Sequence, residues 1–339
     1  MKVLITGGGG FLGSQLARRL AERGSLTNPA GETEPIEEIS LFDARFSPPV
    51  KSWAEETIQQ GTVPRVTLLG GDLGERESVF DAVEGPETLS VFHLAAMVSG
   101  ECEKRFEDAL RVNLDGTRHL LEALKDRPDL SRVVFASSVA SFGGEAMTDP
   151  VTDRTKQTPG TTYGMTKVMG ELMINDFTRK GFLDGRSARL PTIVIRPGKP
   201  NAAASSWASG MFREPLSGEP CHLPVERDQL IPLLGYRDVV ESFIALHEAD
   251  PDTLEEDRAY GLPSVVVSVT EALDILEDVA GQRNIPLGPV VDAPDQTIRA
   301  IVKGWPTDTD GSRAIAAGVP EPRPVARIIE DYIEDFLDA

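Results

Sequence analysis

An α/β fold, built on a doubly wound parallel sheet with a smaller C-terminal lobe, follows from three observations. Short apolar runs alternate with helix-period patterns through the first half of the chain. Those runs are nearly continuous rather than alternating, as strands covered on both faces are. A glycine cluster separates the first run from the first helical pattern, as in strand–helix–strand units.

Lys2 to Thr6 (KVLIT) predicts a buried first strand. Leu12, Leu16 and Leu20 share one face of a helix from Phe11 to about Gly24. Leu26 to Pro35 is polar and contains Pro and Gly, which predicts a loop. Ile39–Phe42, Val66–Leu69 and Leu89–Leu94 predict strands two to four. Cys102–Lys125 predicts one long helix, and Arg132–Ser137 a fifth strand. Tyr163–Arg179 predicts a further helix, with Val168, Leu172 and Phe177 as candidate buried positions. Ala188–Ile195 predicts a sixth strand, interrupted by Pro191. Residues 198–235 carry little periodicity. A helix at Tyr236–Glu248, a strand at Ser264–Val269, a helix at Glu271–Ala280 and an acidic amphipathic helix at Arg323–Leu337 follow. Residues 1–197 are thus expected to form the domain of the doubly wound sheet. Residues 198–339 are expected to form mainly a smaller lobe, interleaved with the sheet.

Composition narrows the function. The chain has 339 residues, 40% hydrophobic and 26% charged, which excludes disorder as the main state. A net charge of −20 argues against nucleic acid or an anionic membrane as partner. An anionic substrate would need local cations. Cys102 and Cys221 cannot build a disulfide framework or a multi-cysteine zinc site. His93, His119, His222 and His247 lack ligand spacing and read as structural, so no metal is expected. No run of about 18 apolar residues predicts a transmembrane helix. The start, MKVLITG, has no leader pattern, so a reduced cytoplasmic location is expected.

Gly7, Gly10 and Gly13 give the spacing GxxGxxG between strand and helix. That spacing suits a tight turn, close approach to a pyrophosphate, and close helix packing. Free N–H groups at the helix start, around Phe11 and Leu12, would face the anion. Asp43, at the end of the second strand, can accept from ribose hydroxyls and repel a 2′-phosphate, which favours NAD as cofactor. It lies 30 residues after Gly13, against the usual ~20, because of the polar insert before it. Arg45 is either an exposed loop charge or a 2′-phosphate partner. Asp72 and Leu73 suit contact with adenine, or else form an ordinary turn. Leu94, Ala95 and Ala96 offer small residues where backbone would approach the cofactor.

Ser137 and Ser138 end the fifth strand, and Tyr163 and Lys167 lie four apart on the next helix. Free tyrosine titrates near ~10, and a neighbouring ammonium would lower that value. Tyr163 could then take a proton from a substrate hydroxyl held by Ser138. A surface helix pair is the alternative reading of YxxxK taken alone.

Together, TGGGGFLG, HLAA, Asn113 in NLDGT, the paired serines, YGMTK and RPG at 196–198 resemble the extended short-chain dehydrogenase/reductase family, with its Rossmann-type fold. The resemblance covers nearly the whole chain. It implies a catalytic triad of Ser138, Tyr163 and Lys167, with Ser137, Tyr163 and Lys167 also near the cofactor and Pro197 beside the nicotinamide. It also implies a possible homodimer packed through the two long helices.

The run RLPTIVIRPGKPNAAAS (189–205), the segment FREPL (212–216) and the stretch around YGMTK resemble the D-erythronate dehydrogenase group. This implies NAD-dependent oxidation of the 2-hydroxyl of a small sugar acid. Arg213 is then the first candidate for the substrate carboxylate, with Arg237 and Lys199 as rivals. Ser99 and Asn201 are candidates for substrate hydroxyls. A nucleoside-diphosphate-sugar 4-epimerase with the same triad, and a non-catalytic NAD-binding regulator, are the competing readings.

Overall fold

The computed structural model describes residues 1–85, 88–145, 147–200 and 203–337. Its first part runs β1 (Lys2–Thr6), α1 (Phe11–Arg23), β2 (Ser25–Thr27), β3 (Thr33–Pro35), β4 (Glu38–Asp43), α2 (Pro48–Gln60), β5 (Arg65–Gly70), α3 (Arg76–Ala82) and β6 (Leu89–His93). Then come α4 (Ser99–Lys104), α5 (Phe106–Ala109), a π-helical turn (Leu110–Asp115), α6 (Gly116–Lys125), β7 (Arg132–Ser138), a 3-10 turn (Val139–Ser141), α7 (Thr162–Arg179), β8 (Asp184–Leu190) and β9 (Thr192–Val194). The remainder is α8 (Ser206–Leu216), β10 (Cys221–Leu223), β11 (Leu230–Gly235), α9 (Tyr236–Glu248), a 3-10 turn (Pro251–Thr253), β12 (Ala259–Gly261), β13 (Val265–Ser268), α10 (Val269–Arg283), β14 (Val290–Asp292), α11 (Gln296–Val302), α12 (Ser312–Ala316) and α13 (Val325–Phe336).

Seven strands form the main sheet in the order β12-β8-β7-β6-β1-β4-β5. Every pairing in it is parallel. This is the expected α/β, Rossmann-type doubly wound sheet. The chain leaves β1 first toward β4 and β5, then returns to β6 on its other side. The crevice at the carboxyl ends of β1 and β6 is therefore the topological switch point, where ligands bind in such sheets.

Alternation along each strand feeds two layers. Val3 and Ile5 pack with Leu16, Leu20 and Phe243 on one face. Leu4 packs with Leu120, Phe135 and Ile174 on the other. A third core gathers Phe212, Ile231, Leu276 and Ile329 around the small sheet β13-β11-β9. Segments cross between the two regions in both directions: β12 and α9 join the main sheet, while β9 pairs with β11.

Several local expectations are corrected. Leu26–Pro35 contains the β2–β3 hairpin, and Leu26 is fully buried. The helix expected over Cys102–Lys125 is broken at Arg105, whose backbone leaves helical geometry. It then widens into the π-turn that carries Asn113. On α7 the buried face is Gly164, Thr166, Lys167, Gly170, Glu171 and Ile174, whereas Leu172 is 60% exposed. The reason is close packing: a Cβ on Gly170 would stand 2.6 Å from the Phe135 ring. A larger side chain cannot occupy the Gly170 position. The segment 198–235 contains α8, β10 and β11 despite its weak periodicity. No described helix is long and apolar enough to cross a membrane.

The β2–β3 hairpin is tied to α9 by Glu248, which accepts from the Thr27 backbone N–H at 3.1 Å and from the Thr27 hydroxyl. Burial pushes this carboxyl up, but the adjacent His247 ring and the hydrogen bonds from Thr27 outweigh it and hold the pKa at about 2, against an ordinary 4.5. The stabilisation is therefore full above pH 4.5 and is lost as pH falls toward 2. Glu248→Gln should cost about 2 kcal/mol at neutral pH. Urea unfolding should show the gap to wild type shrinking at pH 3; an equal gap at both pH values would contradict the assignment.

Candidate active site

The glycine turn sits in the β1–β6 crevice. Gly7 has φ +74°, and a Cβ there would lie 2.8 Å from the Ala95 nitrogen. The ends of β1 and β6 are drawn together by Leu94 N–H to Thr6 O (3.0 Å) and Ala95 N–H to Thr6 Oγ1 (3.2 Å). Gly13 lies so close that a Cβ would stand 2.3 Å from Gly7 O. No side chain caps the N-terminus of α1. Its first-turn N–H groups, at Phe11 and Leu12, are left for an anion.

A cavity of about 1030 Å³ opens beside this turn, lined by Gly9, Gly10, Phe11, Arg196 and Pro197 among others. Uncapped donors, close-approach glycines and this volume fit a dinucleotide. The side chain of Asp43 accepts from the N–H groups of Gly9 (3.0 Å) and Arg45 (3.2 Å), so it braces the turn. Each carboxylate oxygen keeps a lone pair for a ribose hydroxyl. The Arg45 side chain is exposed. Asp72 pairs with Arg111 at 2.9 Å and accepts from Gly74 N–H, while Leu73 is buried against Gly116. The Leu73 side chain therefore belongs to the core more than to an open groove. Ala96 follows Ala95 in the same loop.

A second cavity, of about 240 Å³, contains Ser138 and Tyr163. The approach of the 3-10 turn to α7 creates it: a Cβ on Gly164 would lie 2.0 Å from Ala140 O. Only glycine permits that contact beside Tyr163. Thr161 caps α7 by accepting from Gly164 N–H at 3.0 Å. The Ser138 hydroxyl accepts from Ala140 N–H at 3.1 Å. Lys167 is buried, donates to Ala136 O at 2.7 Å, and lies 5.5 Å from the Tyr163 ring centroid.

The expected lowering of the Tyr163 phenol is not met in the chain alone. Burial pushes it up to about 12, with the Ser138 hydroxyl working the other way. Burial likewise pushes Lys167 down to about 8, against Cys102 and Glu171, which raise it. Desolvation thus outweighs the proximity of the pair.

Other sequence candidates separate. Ser137 is buried with its hydroxyl on Glu171, not in either cavity. Pro197 lines the larger cavity, whereas Pro191, just after β8, lines the smaller cavity with Tyr163. Ser99 lines the smaller cavity and accepts from Ala204 N–H. Asn201 lies outside the described residues. Arg213 lines the smaller cavity but is paired with Glu214 at 2.5 Å. Arg237 is held by Asp331, Glu334 and Asp335, and Lys199 is exposed. His93 is buried between Thr6 and Thr117, and burial pushes its pKa to about 3.

Sequence reasoning missed Thr161, Thr192, Arg196 and Trp305 in the smaller cavity. Arg196 lay in the RPG run already singled out, and Pro191 lay inside the expected strand Ala188–Ile195, which the structure divides there into β8 of the main sheet and β9 of the small one. Trp305 carried no signal, since it arrives from a segment far away in sequence. Among the described residues, no group of three or more His, Cys, Asp or Glu could hold a metal.

The model of the NAD dependent epimerase/dehydratase family matches residues 3–260. The chain is 40% identical to D-erythronate dehydrogenase of Cupriavidus necator, over 99% of this chain and 98% of that protein. It is 36% identical to D-erythronate dehydrogenase of Haemophilus influenzae, over 98% and 99% respectively. Among solved structures, a nucleoside-diphosphate-sugar epimerase from Agrobacterium tumefaciens superposes with a TM-score of 0.87 at 34% identity, covering 100% of this chain and 95% of that one. By its glycine turn, its parallel sheet and these matches along its length, the chain belongs to the NAD-dependent epimerase/dehydratase family.

Proposed function

We propose that the protein is an NAD-dependent dehydrogenase that oxidises the 2-hydroxyl of D-erythronate, giving 2-dehydro-D-erythronate. The observation that carries this reading is the near-full-length identity to the two D-erythronate dehydrogenases. The cavity supports it. At about 240 Å³ it lies below the roughly 300–1,000 Å³ typical of drug-sized ligands, and suits a four-carbon acid better than a nucleotide sugar.

In this mechanism Ser138 holds the substrate oxygen. Tyr163, as phenolate, takes the hydroxyl proton while the carbon–oxygen bond becomes a carbonyl. NAD, which the glycine turn and Asp43 would hold, would supply the hydride acceptor for the carbon that bears this hydroxyl. Lys167 stays fixed on Ala136 O and supplies positive charge under Tyr163. Ile301 and Trp305 place apolar surface on the cavity and limit water.

Three solution tests follow. Tyr163→Phe should lower NADH formation from D-erythronate by about 10²–10⁴-fold while NADH still binds by fluorescence titration. Full turnover in that variant would sink the mechanism. Because burial raises the phenol to about 12, the phenolate fraction and the oxidation rate should both climb as pH rises from neutral. A rate that falls with alkalinity would argue for another base. Production of epimerised nucleotide sugar without net NADH would favour the epimerase reading instead.

The outer face of α7 bears on assembly. Met169 (39%) and Leu172 (60%) are exposed there, and Phe106 (49%) on α5, which contacts α7. This surface supports a homodimer formed through these helices. Leu172→Glu should shift the mass by light scattering from dimer to monomer. A wild-type monomer would remove the proposal.

A further inference from the structure

Arg196 lines both cavities, the one beside the glycine turn and the one holding Tyr163. No other described residue lines both, so it marks where they adjoin. Its main chain is clamped from both sides by α8. Its N–H donates to Ser209 Oγ at 3.1 Å, and its carbonyl accepts from Arg213 Nη1 at 2.8 Å. Among the described residues the guanidinium makes one hydrogen bond, to Lys199 O at 2.8 Å, and pairs with no carboxylate. Arg213 differs, because Glu214 already neutralises it.

We propose that Arg196 receives the substrate carboxylate, and that Arg213 is a positioning residue that holds the Arg196 backbone. The proposal rests on the sugar-acid reading given above. A planar fork with free donors suits a carboxylate in bidentate fashion. A carboxylate held there lies in the cavity of Tyr163 and Ser138, at the edge that adjoins the cofactor groove. That placement leaves the adjacent 2-carbon as the reacting one. The hydroxyl-bearing residues Ser99, Thr161 and Thr192 remain for the rest of a short polyol chain.

The test uses full-length wild type, Arg196→Gln and Arg196→Lys, with D-erythronate and its neutral amide as probes. Wild-type NADH formation from D-erythronate is measured first. Silence there, with no heat of erythronate binding to the NADH-loaded enzyme, overturns the sugar-acid reading and this proposal together. With wild type active, Arg196→Gln should raise KM for D-erythronate by about 10- to 100-fold. NADH affinity by fluorescence should stay within about twofold of wild type. Arg196→Lys should recover part of the loss, since it keeps the charge without the fork. Wild type should also prefer the acid over the amide, a preference readable even if the glutamine variant fails to fold; Arg196→Gln should compress it. Unchanged KM for the acid, or an equal preference for acid and amide in wild type, overturns the assignment while leaving the dehydrogenase reading intact. Weakened NADH binding with unchanged KM for the acid also overturns it, and would move Arg196 to the cofactor pyrophosphate.

Discussion

The placement of α7 depends on one buried carboxylate. Glu171 is 2% exposed and accepts from the Ser137 hydroxyl, from Gln157 at 2.6 Å and from Arg189 at 2.8 Å. Arg189 also pairs with Asp153 at 2.9 Å, and Asp153 with Arg313 at 2.8 Å. The chain of charges therefore joins α7, β8 and α12, and the Ser137 hydroxyl ties it to β7. A buried ion pair adds little net stability, yet removing one partner costs about 3–5 kcal/mol because the other is stranded. Its effect is to specify one arrangement. Tyr163 and Lys167 lie about two turns and one turn before Glu171 on the same helix, so their position follows from that arrangement.

The C-terminal third of the chain acts on the same cleft from the opposite side. Phe11, in the first turn of α1, packs on Tyr236 at 5.2 Å and on Phe336 at 6.1 Å between ring centroids. Asp331, almost fully buried on α13, gathers Arg237, Arg323 and Arg327 within 2.9 Å. The helix that closes the chain is thereby fastened against the helix that opens the cofactor site. Trp305 and Ile301 come from the segment between these contacts and line the cavity of Tyr163. The groove beside the glycine turn and the cavity of Tyr163 are thus shaped by the same late segments.

Strands buried on both faces were legible because apolar runs bounded by turns have few other solutions. The glycine turn was legible because its spacing answers a steric demand that any reader can reconstruct. Much of α7 was misread for the opposite reason. Its inner face is glycine, threonine and paired charge, so hydrophobic periodicity pointed outward to Leu172. The lowered tyrosine was misread too. Spacing reports that Lys167 is near, but not how much water the fold removes from both groups. Trp305 and the Arg196 clamp depend on contacts made across long stretches of chain, which local pattern does not carry.

The acidic surface and the cationic cavity act over different ranges. With a net charge of −20, the protein repels small anions at a distance, but at physiological salt that field decays within about 8 Å. Inside the cavity the balance reverses. Burial and the nearby Arg213 both push the Arg196 guanidinium below its ordinary pKa, so its charge is held there at a cost. An incoming carboxylate relieves that cost, whereas a neutral polyol leaves it in place. On the proposed reading, discrimination for an acid comes from this half-buried guanidinium, which has no carboxylate partner among the described residues, more than from added contacts.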